Sequence, residues 1–339
     1  MSRAAFRSSR WIFLASVTFL IVAAIAAPAL TVRALAPSEE GEDATAIVDA
    51  ARAVLRSFDA TLRAKAVFPV DGAERTNWHF VPRGRLGVSL CELGPREDKL
   101  VTDLLRASLS EVGAKRAELV RELEGILQEI EGEGRRFPRD PELYFVSFFG
   151  EPSMSDPWGW RFEGHHLSLN FSLEGSKLVS ATPAFYGANP AEVRQGPRKG
   201  LRVLGSLEDV ARDLVRSLEP EQLEAAKKGE PAEVESATEA RYTSSLPRGL
   251  SASRLSEEQR GKLEKLLDEY TAIFRPGFRE RFRKELVAGG YDDIELVWSG
   301  GTNPGEKHSY MVHGPSFVIA YANFQNDANH IHASLRLRE

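Results

Sequence analysis

Residues 156–171 read DPWGWRFEGHHLSLNF. Trp158, Trp160 and Phe162 alternate with Gly159 and Arg161, the period of two expected of a strand buried on one face. Gly164 interrupts the alternation, and a second strand is expected from His165 to Leu173, with Leu167, Leu169 and Phe171 apolar. Strands so close in sequence leave no room for a parallel crossover, so they belong to an antiparallel meander. Outward from them, Leu143–Phe149 (LYFVSFF) precedes and Leu178–Tyr186 follows, with Glu174-Gly175-Ser176 as the hairpin turn.

A second strand run closes the chain: Ile294–Trp298, Ser309–His313, Ser316–Ala322 and His330–Leu337. Neither run has enough strands to cover its own face, so the two are expected to pair. Helices are expected around them. Ile47, Ala50, Ala51, Val54, Leu55, Phe58 and Leu62 recur at helical spacing, and Pro95 opens a helix through Ala107. Ser110 caps another, to about Ile130, with Leu119, Leu123, Ile126 and Ile130 on one face and a solvated charged face opposite. Ser206, Pro220, the capping-box pair Ser256/Gln259 and Pro276 mark four more starts. Glu230–Gly249 reads as a loop, and Gly196–Gly200 lacks the spacing of a phosphate-binding loop. The expected class is α+β, with a largely antiparallel sheet built from runs at about 143–186 and 294–337 and flanked by helices.

The 339-residue chain carries a formal charge of −5 and no basic stripe, so nothing in it suggests a nucleic-acid binder and no nucleic-acid partner is expected. Cys91 is the single cysteine, so there is no intrachain disulfide or thiolate cluster, and it is expected to be a small buried residue. Arg3, Arg7 and Arg10 precede an uncharged run from Trp11 to Val32. Residues 1–36 are therefore expected to be a signal peptide, or an uncleaved membrane anchor, and the rest to be exported to the periplasm or outside the cell. Membrane contact is expected only through that segment. Residues 37–43 (PSEEGED) read as an acidic linker, and 44–339 as one α+β domain.

RFEGHHLSLNF, TPAFYGANPAEVRQGPRKGLRVL and HSYMVHGPSFVIAYANFQNDANHIHASLR, in that order from about Trp158 to the end, resemble the bacterial domain-of-unknown-function 3500 family. The resemblance implies secreted proteins without an established activity, and it supplies no catalytic residues.

Four of the seven histidines fall in two short clusters, His165/His166 and His330/His332. Strand parity puts His330 and His332 on one face with Ser334 and Arg336, and sets His166 with Ser168 and Asn170, while His165 joins the apolar face. His166, His330 and His332 then make a three-imidazole set suited to Zn²⁺, Cu²⁺ or Fe²⁺, with His165 as a second candidate. Such a set requires His166 within about 10 Å of the other two, since metal–nitrogen bonds are only about 2.0–2.1 Å. Glu163 or Asp327 is the expected ligand or catalytic base. A hydrolase, an oxidoreductase and a hydrogen-bonded cluster without metal all remain open. The competing class is a non-catalytic protein binding a small-molecule ligand through Trp158, Trp160, Arg161 and Arg336, although alternating tryptophans at a strand start are more commonly core. Glu163 with Asp156 as a glycosidase pair rests on nothing but proximity in sequence.

Overall fold

The computed structural model describes residues 39–338, apart from 133, 135, 234, 236–241 and 243–244. The expected export segment lies outside these residues. Helix α1 (Glu39–Ser57) begins inside the stretch expected to be a linker. Its acidic residues suit a helix N-terminus, and Asp43 is buried, accepting from Arg275 Nε at 2.7 Å. Asp59 then caps a separate helix, α2 (Ala60–Ala66), through Leu62 N at 2.8 Å, dividing what periodicity alone joins. Short strands β1 (Val67–Phe68) and β2 (Val88–Ser89) follow. Cys91, just beyond, is exposed rather than buried.

Helix α3 (Pro95–Ser108) has proline in its first turn, and Ser110 caps α4 (Glu111–Glu131) by accepting from Gly113 N at 3.1 Å. The buried face of α4 is turned from the one expected. It runs through Ala117, Val120, Leu123, Glu124 and Leu127, and Ile130 is 64% exposed. Strands β3 (Tyr144–Phe149), β4 (Trp158–Gly164) and β5 (Leu167–Glu174) form the expected meander. Its continuation splits into β6 (Lys177–Ser180) and β7 (Ala184–Ala188), because Pro183 has no N–H for the ladder. Helix α5 (Gly205–Arg216) starts without the expected serine cap, and α6 (Pro220–Ala226) without delay after it. Strand β8 (Leu250–Ser251) precedes α7 (Glu257–Thr271), which has the Ser256/Gln259 capping box, and α8 (Pro276–Val287). The last run is β9 (Glu295–Gly300), β10 (His308–His313), β11 (Phe317–Gln325) and β12 (His330–Leu337).

Among the described residues all twelve strands join one sheet, ordered β1-β3-β4-β5-β7-β12-β11-β10-β9-β8, with β2 on β3 and β6 on β5. Every strand pair but β1·β3 is antiparallel. The two runs meet along β7·β12, where His332 faces Gly187 and Ser334 faces Phe185. The chain is thus α+β with a largely antiparallel sheet. One face carries Phe162, Leu169, Tyr186, Ile331, Ala333 and Leu335 into the main core with the helices. Each such large side chain contributes roughly 1.5–3 kcal/mol by leaving water. The opposite face is polar at its centre. Trp78 and Phe80 pack there against Phe185, and Tyr242 and Leu246 against Val297, Met311 and Val318. Among the described residues no helix is long and apolar enough to cross a membrane.

Candidate metal centre

Gly164 pairs with Leu167, so His165 and His166 are the two turn residues of the β4–β5 hairpin, not the start of a strand. His166 takes a left-handed backbone, φ 60°, a conformation in which histidine is more common than most side chains. Two hydrogen bonds hold it. Its N–H donates to Phe80 O at 2.9 Å, and its carbonyl accepts from Gly187 N at 2.7 Å. The ring consequently lies over Gly187, where a β-carbon would come within 2.7 Å of it. His332 stands across from the same glycine on β12, and His330 precedes it on the same face.

The result is a box of four imidazoles. His166 Nε2 and His330 Nε2 are 2.8 Å apart. Ring centroids are separated by 4.8 Å for His166–His330, 5.3 Å for His166–His332 and 4.7 Å for His330–His332. One ligand atom from each of these three residues lies within 4.8 Å of the others. Glu124, His165 and His166 form an overlapping group of the same tightness. The His165 ring stacks on His166 at 3.7 Å, and its Nδ1 lies 2.6 Å from Glu124 Oε1 and 3.3 Å from Arg139 Nη1. Behind His332, Nδ1 meets Glu233 Oε2 at 2.5 Å. Phe80 and Phe185 close the side of His332, with centroids at 5.0 and 5.5 Å. His330 is the least buried of the three.

Burial, reinforced by neighbouring imidazoles and by Arg139, holds His165 and His166 well below the usual histidine range, and His330 falls to about 3. These rings are neutral at pH 7 and offer lone pairs, the form a metal binds. Burial raises Glu124 to about 8, so the group beside His165 is a neutral carboxyl. Opposed pH limbs follow. Histidines depressed in the folded state stabilise it above the unfolded value of 6.5, and that contribution is lost as the pH falls towards 3. A carboxyl raised from 4.5 to about 8 stabilises at low pH, and its contribution is lost as the pH rises through about 8. In chelator, the urea midpoint is expected to drop steeply below 6.5 and less steeply from 6.5 to about 8. Glu124→Gln should flatten the second limb and steepen the first between 4.5 and 6.5, where the carboxyl opposes the histidines; a flat acid limb in the wild type would contradict the neutral histidines.

Of the expected residues, His166, His330 and His332 come together, with His165 stacked beside them. The expected carboxylates do not join them. Glu163 is buried on the same sheet face, but its oxygens meet Arg161 Nε at 3.1 Å, Arg85 Nε at 4.0 Å and His79 N at 3.0 Å. Asp327 sits in the β11–β12 turn with its side chain 94% exposed, beside Lys307. Trp158 and Trp160 are core residues, 1% and 0% exposed, so they form no stacking platform. Arg161 and Arg336 are equally buried and hold Glu74 with Glu163, and Glu235, respectively. The acidic side chains at the imidazoles are instead Glu124 and Glu233. Glu124 lies in the buried Ala117, Val120, Leu127 stripe of α4, which the expected Leu119, Leu123, Ile126, Ile130 face did not single out, and Glu233 lies in a polar connection that carries no signal.

Residues 40–339 match the model of a family described as protein of unknown function (DUF3500), and nearly the whole chain belongs to that family. No curated protein and no solved structure matches the chain.

Proposed function

From that membership and this geometry, we propose that the chain is an exported metal protein in which His166, His330 and His332 hold one divalent transition-metal ion. The carrying observation is the convergence of three imidazoles, two buried and one half-buried, to within 4.8 Å. Ligands bound at 2.0–2.1 Å in tetrahedral array sit about 3.3 Å apart, so the 2.8 Å between His166 and His330 needs little adjustment. The all-nitrogen set favours Zn²⁺, Cu²⁺ or Fe²⁺. Glu233 supports the reading, because a carboxylate accepting from Nδ1–H turns the other nitrogen of His332 towards a ligand position. A bound ion would supply a Lewis acid for hydrolysis or a redox centre. His330, least buried of the three, marks the side on which a small molecule would approach. Export rests on the arginine-flanked apolar N-terminus.

A second reading is a ligand-binding protein whose histidines form a hydrogen-bonded structural cluster; the closure of His332 by Phe80 and Phe185 favours it. Metal content decides between the two. Protein purified without a histidine tag is expected to carry near-stoichiometric metal by mass spectrometry, and a folded His330→Ala/His332→Ala variant almost none. A wild type that stays empty after reconstitution with Zn²⁺, Cu²⁺ and Fe²⁺ would sink the metal reading.

A further inference from the structure

A separate cleft of about 280 Å³ opens on the polar side of the sheet, lined by Glu74, Asn77, His79, Arg83, Arg85 and Glu163. Its charged lining is two glutamates, Glu74 and Glu163, and two arginines, Arg83 and Arg85. Arg161 binds both nearby carboxylates, with Nη2 on Glu74 and Nε 3.1 Å from Glu163, and its Nη1 donates to Glu74 O at 2.9 Å. Arg75, Arg83 and Arg85 have no carboxylate within hydrogen-bonding distance among the described residues. Arg75 donates to Ser172 and to Phe171 O instead. Arg85 spends its Nη2 on the carbonyls of His79, Val81 and Gly164. Its side chain is only 4% exposed, its Nε has no hydrogen-bond acceptor, and the nearest carboxylate, Glu163, stays 4.0 Å away. Arg83 stands exposed at the rim, with Nη1 on His79 Nε2.

Both lining carboxylates are thus taken by Arg161, while Arg85 keeps a buried Nε–H without an acceptor beside the cavity, and a buried charged group left so is costly unless an ion of opposite sign pairs with it. We propose that this cleft binds a small oxyanion, phosphate-like or carboxylate, through Arg83 and Arg85. Arg85 Nη1 donates to Arg83 O and Arg83 Nε to Gly84 O, so the donors left for the anion are Arg85 Nε and Arg83 Nη2, and charged N–H donors of this kind suit both chemistries. The same positive surroundings, with burial the larger cause, hold His79 down at about 4, so it adds no charge and accepts from Arg83. The cleft has the volume of several waters, which limits the occupant to one compact anion or the anionic end of a larger molecule.

Titration calorimetry of the purified protein with inorganic phosphate, sulfate and acetate tests this. Saturable binding of at least one anion is expected, weakened by added chloride salt. Arg83→Ala, at an exposed position and checked for folding by circular dichroism, is expected to weaken it by about tenfold or more. Which anion saturates identifies the source. The His330→Ala/His332→Ala variant should bind the anion like the wild type, so failure here is distinct from failure of the metal site. No saturation with any of the three, equal binding by Arg83→Ala, or loss of binding in the histidine variant would each overturn the proposal.

Discussion

Arg161→Ala is expected to lower the unfolding free energy by about 3–5 kcal/mol, the usual cost of stranding a charge buried with its partner. The arginine is 0% exposed and lies on β4 at the centre of the polar sheet face, and no water can replace it cheaply. Its removal leaves Glu163, 2% exposed, with only the distant Arg85 as counter-ion, and it frees the Glu74 carbonyl as well. Burial already raises Glu163 above the usual carboxylate range despite the two arginines. Without Arg161 that carboxyl should take up a proton at still higher pH. Glu163→Gln in the Arg161→Ala background should therefore recover part of the loss, giving a coupling that a double-mutant cycle reads directly. Urea unfolding followed by circular dichroism measures all four proteins. A loss below about 1 kcal/mol, typical of exposed pairs, would show that the cluster is solvated.

The second large effect is expected from the smallest substitution. In Gly187→Ala the new methyl would lie 2.7, 2.8 and 2.9 Å from Cδ2, Cγ and Cβ of His166. Carbon atoms in contact prefer about 3.5–4.0 Å, so the ring must move. The backbone cannot yield with it, because Gly187 N and Phe80 O grip the turn on either side of the ring. The imidazole is expected to swing away from His330 and give up its place as a ligand. Overpacking of this kind costs about 1–3 kcal/mol of stability. Metal affinity should fall about 10–100-fold, as when a supporting group around a ligand is lost. A chelator competition titration reads the affinity. Unchanged affinity in Gly187→Ala would mean that His166 is not a ligand.

Much of this was legible in the chain. Alternation placed His330 and His332 on one face because a strand leaves no other choice, and the same reasoning kept His166 with the polar residues even though it occupies a turn. Pro95, Ser110 and the Ser256/Gln259 pair announced helices through capping chemistry that is local. What escaped was non-local. Asp43 looks like linker until Arg275, 232 residues away, pairs with it. Glu124 looks like one more solvated charge until His165 arrives against α4. Asp327 neighbours the histidines in sequence, but its turn presents it to water. Glu163 shares alternation with His165 and not with His166, reaches the polar face only because those two histidines form a turn, and is there claimed by two arginines.

The seam between β7 and β12 gives the histidine group a further property. His166 belongs to the first strand run and His330 to the second, at a sequence separation of 164. Neither half can assemble the group alone, so its geometry exists only after the two runs have docked. An ion gripping both residues would act as a clasp on a very long loop. Loop-closure entropy grows with the logarithm of loop length, and a clasp at this position removes much of the freedom the open chain would regain. Contacts made last in folding chiefly govern how slowly a protein comes apart. A loaded centre would accordingly set the lifetime of the folded chain more than the speed of its folding.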